Sequence, residues 1–421
     1  MKVKKNKEII NKIHNQDSRS LLNLLEDSVR VKSTITSPPY FDMKDYGSEN
    51  QIGFGQNYFE YLEDLKKIFE DIYKITEEDG TLWIIIDTFK RENQVVTLPF
   101  DLSNKLKECG WLLQDIIIWK KDKTVPWSNN GFVQRKFEYI LFFSKSEKFK
   151  YNKDKVRVYD TDQLKKWWVK YPERYNPKGK ALDEIWEFSI PVQGSWGDQY
   201  IRHFCPLPKE MVATMIEIST DKNDVVLDPF AGSGSVIFQS SVMHRNFVGF
   251  ELNTDYIEMF NNYHSKTFSK SRKEYDLTQK LSNQEEFKNR ILELRALKYA
   301  RLLVTEIDKL DFEYFKIYVQ IKGESNIKNK LIKVDYIIIG KINDEQRLKE
   351  KLQELTLKTP LSKFGVEPFF KFSQNKKFNN KRDYGYTKSN SYSYQNNLDL
   401  DSLKIRVISN ICVDLNENDY L

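Results

Sequence analysis

The chain has 421 residues, with 67 Lys and Arg against 61 Asp and Glu, which gives a net charge of +6. Its hydrophobic content of 40% and aromatic content of 14% exclude a disordered or fibrous chain, and its length suits two or three domains. No apolar run approaches the roughly 18 residues that a membrane span needs, and no apolar segment follows the basic N-terminus, so neither membrane insertion nor a secretory signal is expected.

Residues 8–265 alternate between strand-like and helix-like segments. Most strand-like segments are continuous apolar runs, the pattern of strands covered on both faces of a parallel sheet. They are Ile9–Asn15, Val31–Thr36, Thr81–Ile86, Leu112–Trp119, Glu138–Phe143, Asp224–Leu227 and Asn246–Phe250. The helix-like segments carry apolar residues three and four positions apart, and they are Tyr58–Ile75, Pro99–Cys109, Pro208–Ile218 and Ser235–Met243. This order predicts an α/β fold with a doubly wound, mostly parallel sheet.

A basic, aromatic-rich segment, residues 145–195, interrupts this alternation and is predicted to be an insertion. Between Lys145 and Lys180 there are 12 Lys and Arg against 5 Asp and Glu, a local excess of +7. Cations that meet phosphates and rings that meet bases are typical of a nucleic-acid interface, although such runs also occur in solvated loops without a function. The candidate DNA-binding residues are Lys165, Lys166, Trp167, Lys170 and Arg174, together with Lys120 and Arg135 at the ends of a second loop.

Beyond residue 265 the sequence changes character. Residues 266–283 are polar and charged and are predicted to be a linker, and Ser282 with Glu285 forms a capping-box pattern at the start of a long helix. Residues 284–421 are predicted to form an α+β accessory domain, with the helices through Leu310 and over Asp344–Leu355 and with strands at Tyr314–Ile321, Leu331–Ile339 and Lys404–Val413. Within it, residues 371–397 are rich in Asn, Ser, Lys and Tyr and are predicted to be a low-complexity loop.

The first motif with chemical content is Thr36-Ser37-Pro38-Pro39-Tyr40, at the carboxyl end of the strand Val31–Thr36. Ligands of open α/β sheets bind at the carboxyl ends of strands. Two prolines make a rigid turn with no backbone donors, so its carbonyl groups can accept hydrogen bonds at a fixed point. With the hydroxyl of Ser37 and the ring of Tyr40, the motif suits a planar heterocycle that carries an exocyclic amino group.

The second motif runs from Asp228 to Ser235, between the strand Asp224–Leu227 and a helix. Its glycines let the backbone approach a ligand closely, and the helix N-terminus offers free N–H groups. The spacing is not that of a phosphate-binding G-x-G-x-x-G, and no Lys follows as in a P-loop, so a nucleoside triphosphate is disfavoured. Glu251 ends the next strand, about 20 residues on, where an acid can bind ribose hydroxyls.

Together the two motifs resemble those of the amino-methylating DNA methyltransferases of the permuted β group, in which S-P-P-Y or D-P-P-Y precedes D-P-F-x-G-S-G. The resemblance covers roughly residues 8–265 and extends to Gly110-Trp111, Ile118-Trp119-Lys120 and Phe137-Glu138-Tyr139-Ile140-Leu141. It implies a seven-stranded methyltransferase sheet whose catalytic half is residues 1–144 and whose cofactor half is residues 196–265. It also implies that the insertion 145–195 is the target-recognition region.

The resemblance further implies that S-adenosylmethionine is the cofactor. The expected cofactor-binding residues are Asp228, Pro229, Phe230, Gly232, Ser233, Gly234, Ser235 and Glu251, with Glu251 on the ribose. His203 and Phe204 are similar to the family residues at the methionine end of the cofactor. Asp17 is similar to the acid that accepts from the adenine amino group, and an equal alternative is that Asp17 only caps a helix. The missing strand of the sheet is expected to come from the N-terminus.

In this family Ser at position 37 goes more often with the N4 atom of cytosine, and Asp there with N6 of adenine. We therefore expect an N4-cytosine methyltransferase, with an N6-adenine enzyme as the alternative. The carbon-5 cytosine route needs a Cys after Pro, and neither Cys109, Cys205 nor Cys412 follows a proline. The expected catalytic residues are Ser37, Pro38, Pro39 and Tyr40.

The expected partners are double-stranded DNA and a cognate restriction endonuclease, with the protein a monomer or weak dimer in the cytoplasm of a bacterium or archaeon. The three cysteines form no C-x-x-C pair, which fits a reducing compartment and argues against structural zinc. Three rival interpretations are an inactive DNA-binding protein, an RNA methyltransferase, and a methyltransferase of protein glutamine, whose family carries Asn at the place of Ser37.

Overall fold

The computed structural model describes residues 9–45, 51–122, 133, 135–158, 174, 176, 178–190, 195–196, 199–200, 206–278, 284–307, 309–310, 312–324, 332–358, 365–373, 391–393 and 405–408. The chain divides into two compact units. The first comprises Met1–Val156 with Ala181–Leu281, and the second comprises Arg157–Lys180 with Ser282–Leu421. In the described part of the chain, no helix is both long enough and apolar enough to cross a membrane.

The first unit is built on a large sheet, which has eight strands within the described residues. Its strands and the two short hairpins beside it are β1 (Lys12–Asn15), β2 (Val31–Thr36), β3 (Thr76–Ile86), β4 (Phe89–Arg91), β5 (Gln94–Val96), β6 (Leu112–Lys120), β7 (Phe137–Ser144), β8 (Ile185–Glu187), β9 (Ser195–Trp196), β10 (Gln199–Tyr200), β11 (Val225–Asp228) and β12 (Asn246–Glu251). The order in the sheet is β1-β12-β11-β2-β3-β7-β6-β8. Among these strands β7 alone runs antiparallel to its neighbours β3 and β6, so its first residues lie at the edge where the others end.

Helices cover both faces of this sheet. They are α1 (Leu21–Leu25), α2 (Tyr58–Ile75), α3 (Leu98–Glu108), α4 (Lys209–Ser219), α5 (Ser235–Val242) and α6 (Thr254–Thr278). Along β3, Leu82 and Ile84 belong to the core that contains α2 and α3, whereas Trp83 and Ile85 belong to the core that contains α4. Alternate residues of one strand are thus buried against different helices, which confirms the predicted doubly wound, mostly parallel α/β fold.

Two features of the first unit differ from the sequence-based expectation. The sheet has one strand more than the seven expected, because Ile185–Glu187, inside the predicted insertion, pairs in parallel with β6 at the sheet's edge. The segment 266–283, predicted to be a linker, continues helix α6 as far as Thr278. The polar composition of this segment suits an exposed helix. A few contacts hold the helix in place: Tyr275 donates to Glu217 at 2.5 Å, and His244 bonds Asp276 at 2.7 Å.

The second unit has an α+β arrangement with a separate core. Its elements are α7 (Gln284–Ile307), β13 (Phe312–Glu324), β14 (Ile332–Ile342), α8 (Glu345–Lys358), β15 (Val366–Ser373), β16 (Ser391–Ser393) and β17 (Ile405–Ile408). The sheet order is β15-β14-β13-β17-β16, and Leu303 and Leu348 bring both helices into a core with Ile338. The predicted low-complexity loop 371–397 begins within β15 and contains β16, and its residues 374–390 and 394–397 lie outside the described residues.

Candidate active site

The two motifs lie side by side because the strands that carry them are neighbours. β2 and β11 run parallel, with Ser33 opposite Val226 and Thr34 opposite Leu227. Both strands end at the same edge of the sheet, and there the hydroxyl of Thr36 donates to Oδ1 of Asp228 at 2.7 Å. A buried hydrogen bond therefore joins the residue before Ser37 to the first residue of the glycine-rich motif. Thr36 begins the predicted motif, but its role could not be predicted, since nothing local marks a partner 192 positions away.

The loop after β2 is fixed by contacts on its backbone. Tyr61 of α2 donates to the carbonyl oxygen of Pro39 at 2.6 Å. Phe41, which follows the motif, is 1% exposed and has a φ of +57°, a region that non-glycine residues rarely occupy. Gly53 allows this conformation, because a Cβ there would lie 2.4 Å from the carbonyl oxygen of Phe41. The surrounding packing thus holds the backbone on both sides of Tyr40.

The side chains of the S-P-P-Y motif continue into a charged network. The hydroxyl groups of Ser37 and Tyr40 lie 3.4 Å apart, and Tyr40 donates to Oε2 of Glu138 at 3.1 Å. Glu138 lies near the start of β7 and is 8% exposed, and Lys121 bonds its other oxygen. Glu138 was predicted only as part of a strand, although a carboxylate inside the apolar run Phe137–Phe143 is a signal of a functional residue.

A second ion pair lies at the same edge. Asp87 follows β3, and Arg135 lies 2.8 Å from its carboxylate and 2.8 Å from the hydroxyl of Thr88. Burial raises the pKa of the Asp87 carboxyl, although the Arg135 charge acts in the opposite direction. Arg135, predicted to contact DNA, is therefore bonded at the catalytic edge of the sheet.

The glycine-rich loop after β11 is held by its backbone. Gly232 and Gly234 have φ values of +50° and +85°, and a Cβ on Gly234 would lie 2.4 Å from the ring of Phe260. The two carboxylate oxygens of Glu251 accept from the N–H groups of Gly232 and Asn253, each at 2.8 Å. Glu251 is thus placed directly beside the loop, as its position after the next strand predicted.

Burial determines the electrostatics of this loop. Asp228 is 3% exposed, and burial raises the pKa of its carboxyl to about 7, while hydrogen bonds from Thr36 and from the N–H of Phe230 act to lower it. Burial also raises the pKa of Glu251, against the hydrogen bonds from Asn253 and Gly232. Two acids with raised pKa values beside a glycine-rich turn are typical of a binding site.

The N-terminal strand adjoins the same loop. β1 pairs in parallel with β12, as expected for a missing strand supplied by the N-terminus, and the hydroxyl of Ser18 donates to the carbonyl oxygen of Pro229. Asp17 caps the short 3₁₀ turn Ser18–Ser20 by accepting from the N–H of Arg19 at 2.8 Å, and it also pairs with the Arg19 guanidinium at 2.6 Å. The capping role considered for Asp17 is therefore present, and the next residue, Ser18, contacts the glycine-rich motif.

The loop fits a cofactor rich in polar groups. The hydroxyl of Ser233 is buried and has no hydrogen-bond partner among the described residues. A buried hydroxyl without a partner is costly, so a ligand that bonds it is favoured. The partly buried backbone of Gly232 and the partly buried ring of Phe230 add surfaces on which an adenosyl group can pack. Ser235 opens helix α5 directly after the loop.

The remaining predicted residues are placed only in part. Lys120 ends β6 and pairs with Glu187 of β8 at 2.6 Å, and Arg174 is exposed. The predicted DNA-binding residues Lys165, Lys166, Trp167 and Lys170, and the predicted cofactor residues His203 and Phe204, lie outside the described residues.

Comparison with known proteins identifies the family. The model of the N6/N4 methyltransferase family, described as DNA methylase, matches residues 31–262, more than half of the chain. The type II methyltransferase M.Cfr9I of Citrobacter freundii is 29% identical over 273 residues, which cover 58% of this chain and 84% of that protein. M.SmaI of Serratia marcescens is 27% identical over 273 residues, covering 58% of this chain and 87% of that protein.

Among solved structures, the PvuII DNA methyltransferase (cytosine-N4-specific) aligns with a TM-score of 0.44 at 18% identity, covering 68% of this chain and 95% of that one. The S-adenosylmethionine complex of a DNA modification methylase from Thermus thermophilus aligns with a TM-score of 0.43 at 21% identity, covering 62% of this chain and 93% of that one. The family model spans both motifs and the strands that carry them. The chain therefore belongs to the N6/N4 family of DNA methylases, whose cofactor is S-adenosylmethionine.

Proposed function

We propose that this DNA methyltransferase transfers a methyl group to the exocyclic N4 atom of a cytosine that has left the duplex. The observation that carries the proposal is the position of Ser37, one residue beyond the Thr36–Asp228 hydrogen bond that joins the two motifs. A hydroxyl placed there lies beside the glycine-rich loop, at the edge of the sheet where β2 and β11 end. The reacting amino group has to be held at this place.

The chemistry of the target explains the need for Ser37. The amino group of a nucleobase is a poor nucleophile, because its lone pair is delocalised into the ring. If the hydroxyl of Ser37 and the carbonyl of Pro38 accept its two N–H groups, the nitrogen becomes more pyramidal and its lone pair points away from the ring. S-adenosylmethionine, when bound, supplies an activated methyl group. Catalysis then consists mainly of positioning and of acceptors that are already in place.

The aromatic ring of the motif has a separate role. A base inside a duplex cannot reach such a site, so enzymes of this kind rotate the target nucleotide out of the stack. We assign the ring of Tyr40 to stacking on the flipped base, and Pro39 to holding the turn between Ser37 and Tyr40. This role requires a ring whose plane is fixed, and the contacts on either side of Tyr40 meet that requirement.

The cofactor residues follow from the geometry of the second motif and from family membership. We assign Asp228, Pro229, Phe230, Gly232, Ser233, Gly234, Ser235 and Glu251 to S-adenosylmethionine. Glu251 would accept from the ribose hydroxyls, and Asp17 from the adenine amino group. His203 and Phe204 would adjoin the methionine end. Lys120, Arg135, Lys165, Lys166, Trp167, Lys170 and Arg174 remain the proposed DNA contacts.

The choice between cytosine and adenine depends on position 37. The support for cytosine is that Ser at this position goes more often with N4 of cytosine in this family, and Asp with N6 of adenine. To decide, DNA that the purified protein has modified is digested to nucleosides, which are identified by mass. We expect N4-methylcytosine from the wild type and, after the same reaction time, far less of it from Ser37→Ala. N6-methyladenine without N4-methylcytosine would show that the alternative is correct.

The biological role that we propose is protection of DNA in a restriction-modification system, with a cognate endonuclease as partner. The support is that the similar curated proteins are type II methyltransferases. Single-molecule sequencing of DNA from cells that express the protein reports the methylated base and its sequence context together. We expect one short sequence methylated at nearly every occurrence, and scattered methylation without a common sequence would contradict the proposal.

A further inference from the structure

We propose that Glu138 is a positioning residue that fixes the hydroxyl end of Tyr40 and sets the direction of the hydrogen bonds reaching Ser37. The inference rests on the proposed stacking role of Tyr40. Glu138 does not touch the reacting atoms in this assignment. It acts through the Tyr40 hydroxyl, from which its Oε2 atom lies 3.1 Å away.

The position of Glu138 follows from the reversed direction of β7. In the antiparallel pair β6–β7, Trp119 lies opposite Glu138 and Lys120 opposite Phe137. The start of β7 is therefore at the edge where β2, β3 and β6 end. In a fully parallel sheet this strand would begin at the opposite edge, and Glu138 could not reach Tyr40.

Burial makes this carboxylate rigid. Glu138 is 8% exposed, and a charge so far from water needs a charged or hydrogen-bonding partner. Lys121 supplies one on Oε1, and Tyr40 supplies another on Oε2. Lys121 is itself held, because its backbone N–H donates to the carbonyl of Lys136 at 2.8 Å and its ammonium group lies 5.2 Å from the centre of the Trp119 ring.

The order of donors and acceptors then becomes fixed. A carboxylate can only accept hydrogen bonds, and Oε2 of Glu138 at 3.1 Å is nearer to the Tyr40 oxygen than the carbonyl oxygen of Ile85 at 3.5 Å, so Tyr40 donates its proton to Glu138. The oxygen of Tyr40 is thereby left to accept from the hydroxyl of Ser37, which lies 3.4 Å away. With its own proton directed to Tyr40, Ser37 presents its lone pairs outward. An amino group of a base needs such an acceptor.

The other end of the Tyr40 side chain is fixed by the backbone. Tyr61 holds the carbonyl of Pro39, and Phe41 lies buried in a left-handed conformation among aromatic rings, 5.3 Å from the ring centres of Tyr58 and Tyr61. A ring held at both ends loses little freedom when a base stacks on it. Loosening one such side chain typically lowers a rate or an affinity by about tenfold.

The test is a double-mutant cycle of Tyr40→Phe and Glu138→Gln, measured as single-turnover methylation of DNA that contains the recognition sequence. Gln keeps the size of Glu138 but can also donate, so it no longer forces the direction of the Tyr40 hydroxyl. We expect each single variant to be slower by about tenfold, and the double variant to be no slower than Tyr40→Phe. Cofactor affinity should stay at the wild-type value. A base analogue that fluoresces when flipped should show reduced flipping in both single variants.

Glu77→Gln is the matched control. Glu77 lies at the opposite end of β3 and, like Glu138, pairs with a lysine, since its carboxylate is 2.6 Å from the ammonium group of Lys32. Glu77→Gln therefore removes the same charge as Glu138→Gln but leaves Tyr40 untouched. We expect its methylation rate to equal that of the wild type. Thermal unfolding of each variant reports any loss of stability separately from the rate.

Three outcomes would contradict the inference or the role of Tyr40 on which it rests. If Glu138→Gln slows the Tyr40→Phe background as much as it slows the wild type, Glu138 does not act through Tyr40 and the inference is wrong. A wild-type rate in Tyr40→Phe, which keeps the Glu138–Lys121 pair, would also overturn it, even if Glu138→Gln failed to fold. A wild-type rate in Tyr40→Ala would contradict the proposed stacking role of Tyr40, on which the inference rests, while the methylation that it reports would leave the proposed reaction standing.

Discussion

The two loops that follow β2 and β11 lie beside each other but have opposite kinds of backbone, one restricted by prolines and the other made flexible by glycines. The loop after β2 has two prolines, and its fixed shape comes from side chains that bond it from outside, such as Tyr61 on Pro39. The loop after β11 has two glycines with positive φ, and its shape comes from backbone groups bonded to Glu251. In the proposed function, the first loop presents acceptors and a ring to a base, whereas the second presents its glycine backbone to the cofactor.

This difference predicts which substitutions each loop tolerates. In the loop after β2, side chains carry the function and the backbone needs no glycine between Ser37 and Tyr40. In the loop after β11, an added methyl group is harmful even where no side-chain function exists. The Thr36–Asp228 bond is the direct link between them, so changes there should affect both loops weakly.

The largest expected effect separates catalysis from cofactor binding. Ser37→Ala removes one preorganised acceptor and should lower kcat by about 10²- to 10³-fold, since a single such group typically contributes that much. The affinity for S-adenosylmethionine, measured by calorimetry, should stay at the wild-type value. Asp228→Ala should show the reverse pattern, with weakened cofactor binding. If both variants lost cofactor affinity equally, the two loops would not divide the work as described.

The next effect tests the glycine backbone. Gly234→Ala combines a positive φ of +85° with a Cβ 2.4 Å from the Phe260 ring, so it should destabilise the fold by about 2–4 kcal/mol. Gly55→Ala is the matched control, because Gly55 has a φ of +78° but no atom within 4 Å of the added Cβ. It should cost only about 1 kcal/mol. Equal losses in urea unfolding would mean that the ring contact is unimportant.

A third prediction uses the pKa of Asp228, which burial raises to about 7. The folded protein holds this proton more tightly than the unfolded chain does, so stability from this group is present at low pH and is lost as pH rises through about 7. Asp228→Asn carries no such group. Without cofactor, the melting temperature of Asp228→Asn relative to wild type should therefore increase between pH 5 and pH 8. A difference that is independent of pH would place the pKa of Asp228 outside this range.

The smallest effect belongs to the bond between the loops. Thr36→Val keeps the shape of the side chain but removes the donor to Asp228, which should cost about 1 kcal/mol. Because Asp228 keeps its hydrogen bond from Phe230, we expect cofactor affinity to fall by no more than about tenfold. Thr97→Val is a suitable control, since the hydroxyl of Thr97 lies only at the edge of bonding distance from Asp101, at 3.4 Å. A larger loss in Thr97→Val would show that the effect is not specific.

Much of the fold could be predicted from the sequence where local pattern and burial agree. The strand Val31–Thr36 and the helix Tyr58–Ile75 have the predicted bounds, because a continuous apolar run and an amphipathic period are both local signals. The strand Ile185–Glu187 was missed, since three residues at a sheet edge carry no such pattern. The last part of helix α6 was predicted to be a linker, because an exposed helix and a linker share the same polar composition.

The candidate site, too, could be predicted only in part from the sequence. The two motifs could be recognised, because each is continuous in sequence. The contacts that orient them could not be, since Thr36–Asp228 and Tyr40–Glu138 join residues 192 and 98 positions apart. Such pairs depend on which strands become neighbours and on the reversal of β7. Only the assembled sheet contains that information.

The pairing of β1 with β12 has a consequence for how the molecule folds. Asn11 accepts from the backbone of Phe247, 236 positions later, and the register continues to Asn15 and Glu251. A chain that emerges from the ribosome thus makes its first strand long before the partner exists, and closing so long a loop is slow. The cofactor side of the sheet must be completed late in synthesis. Until β12 has been made, Ile9 and Ile13 therefore lack residues against which they pack in the folded unit.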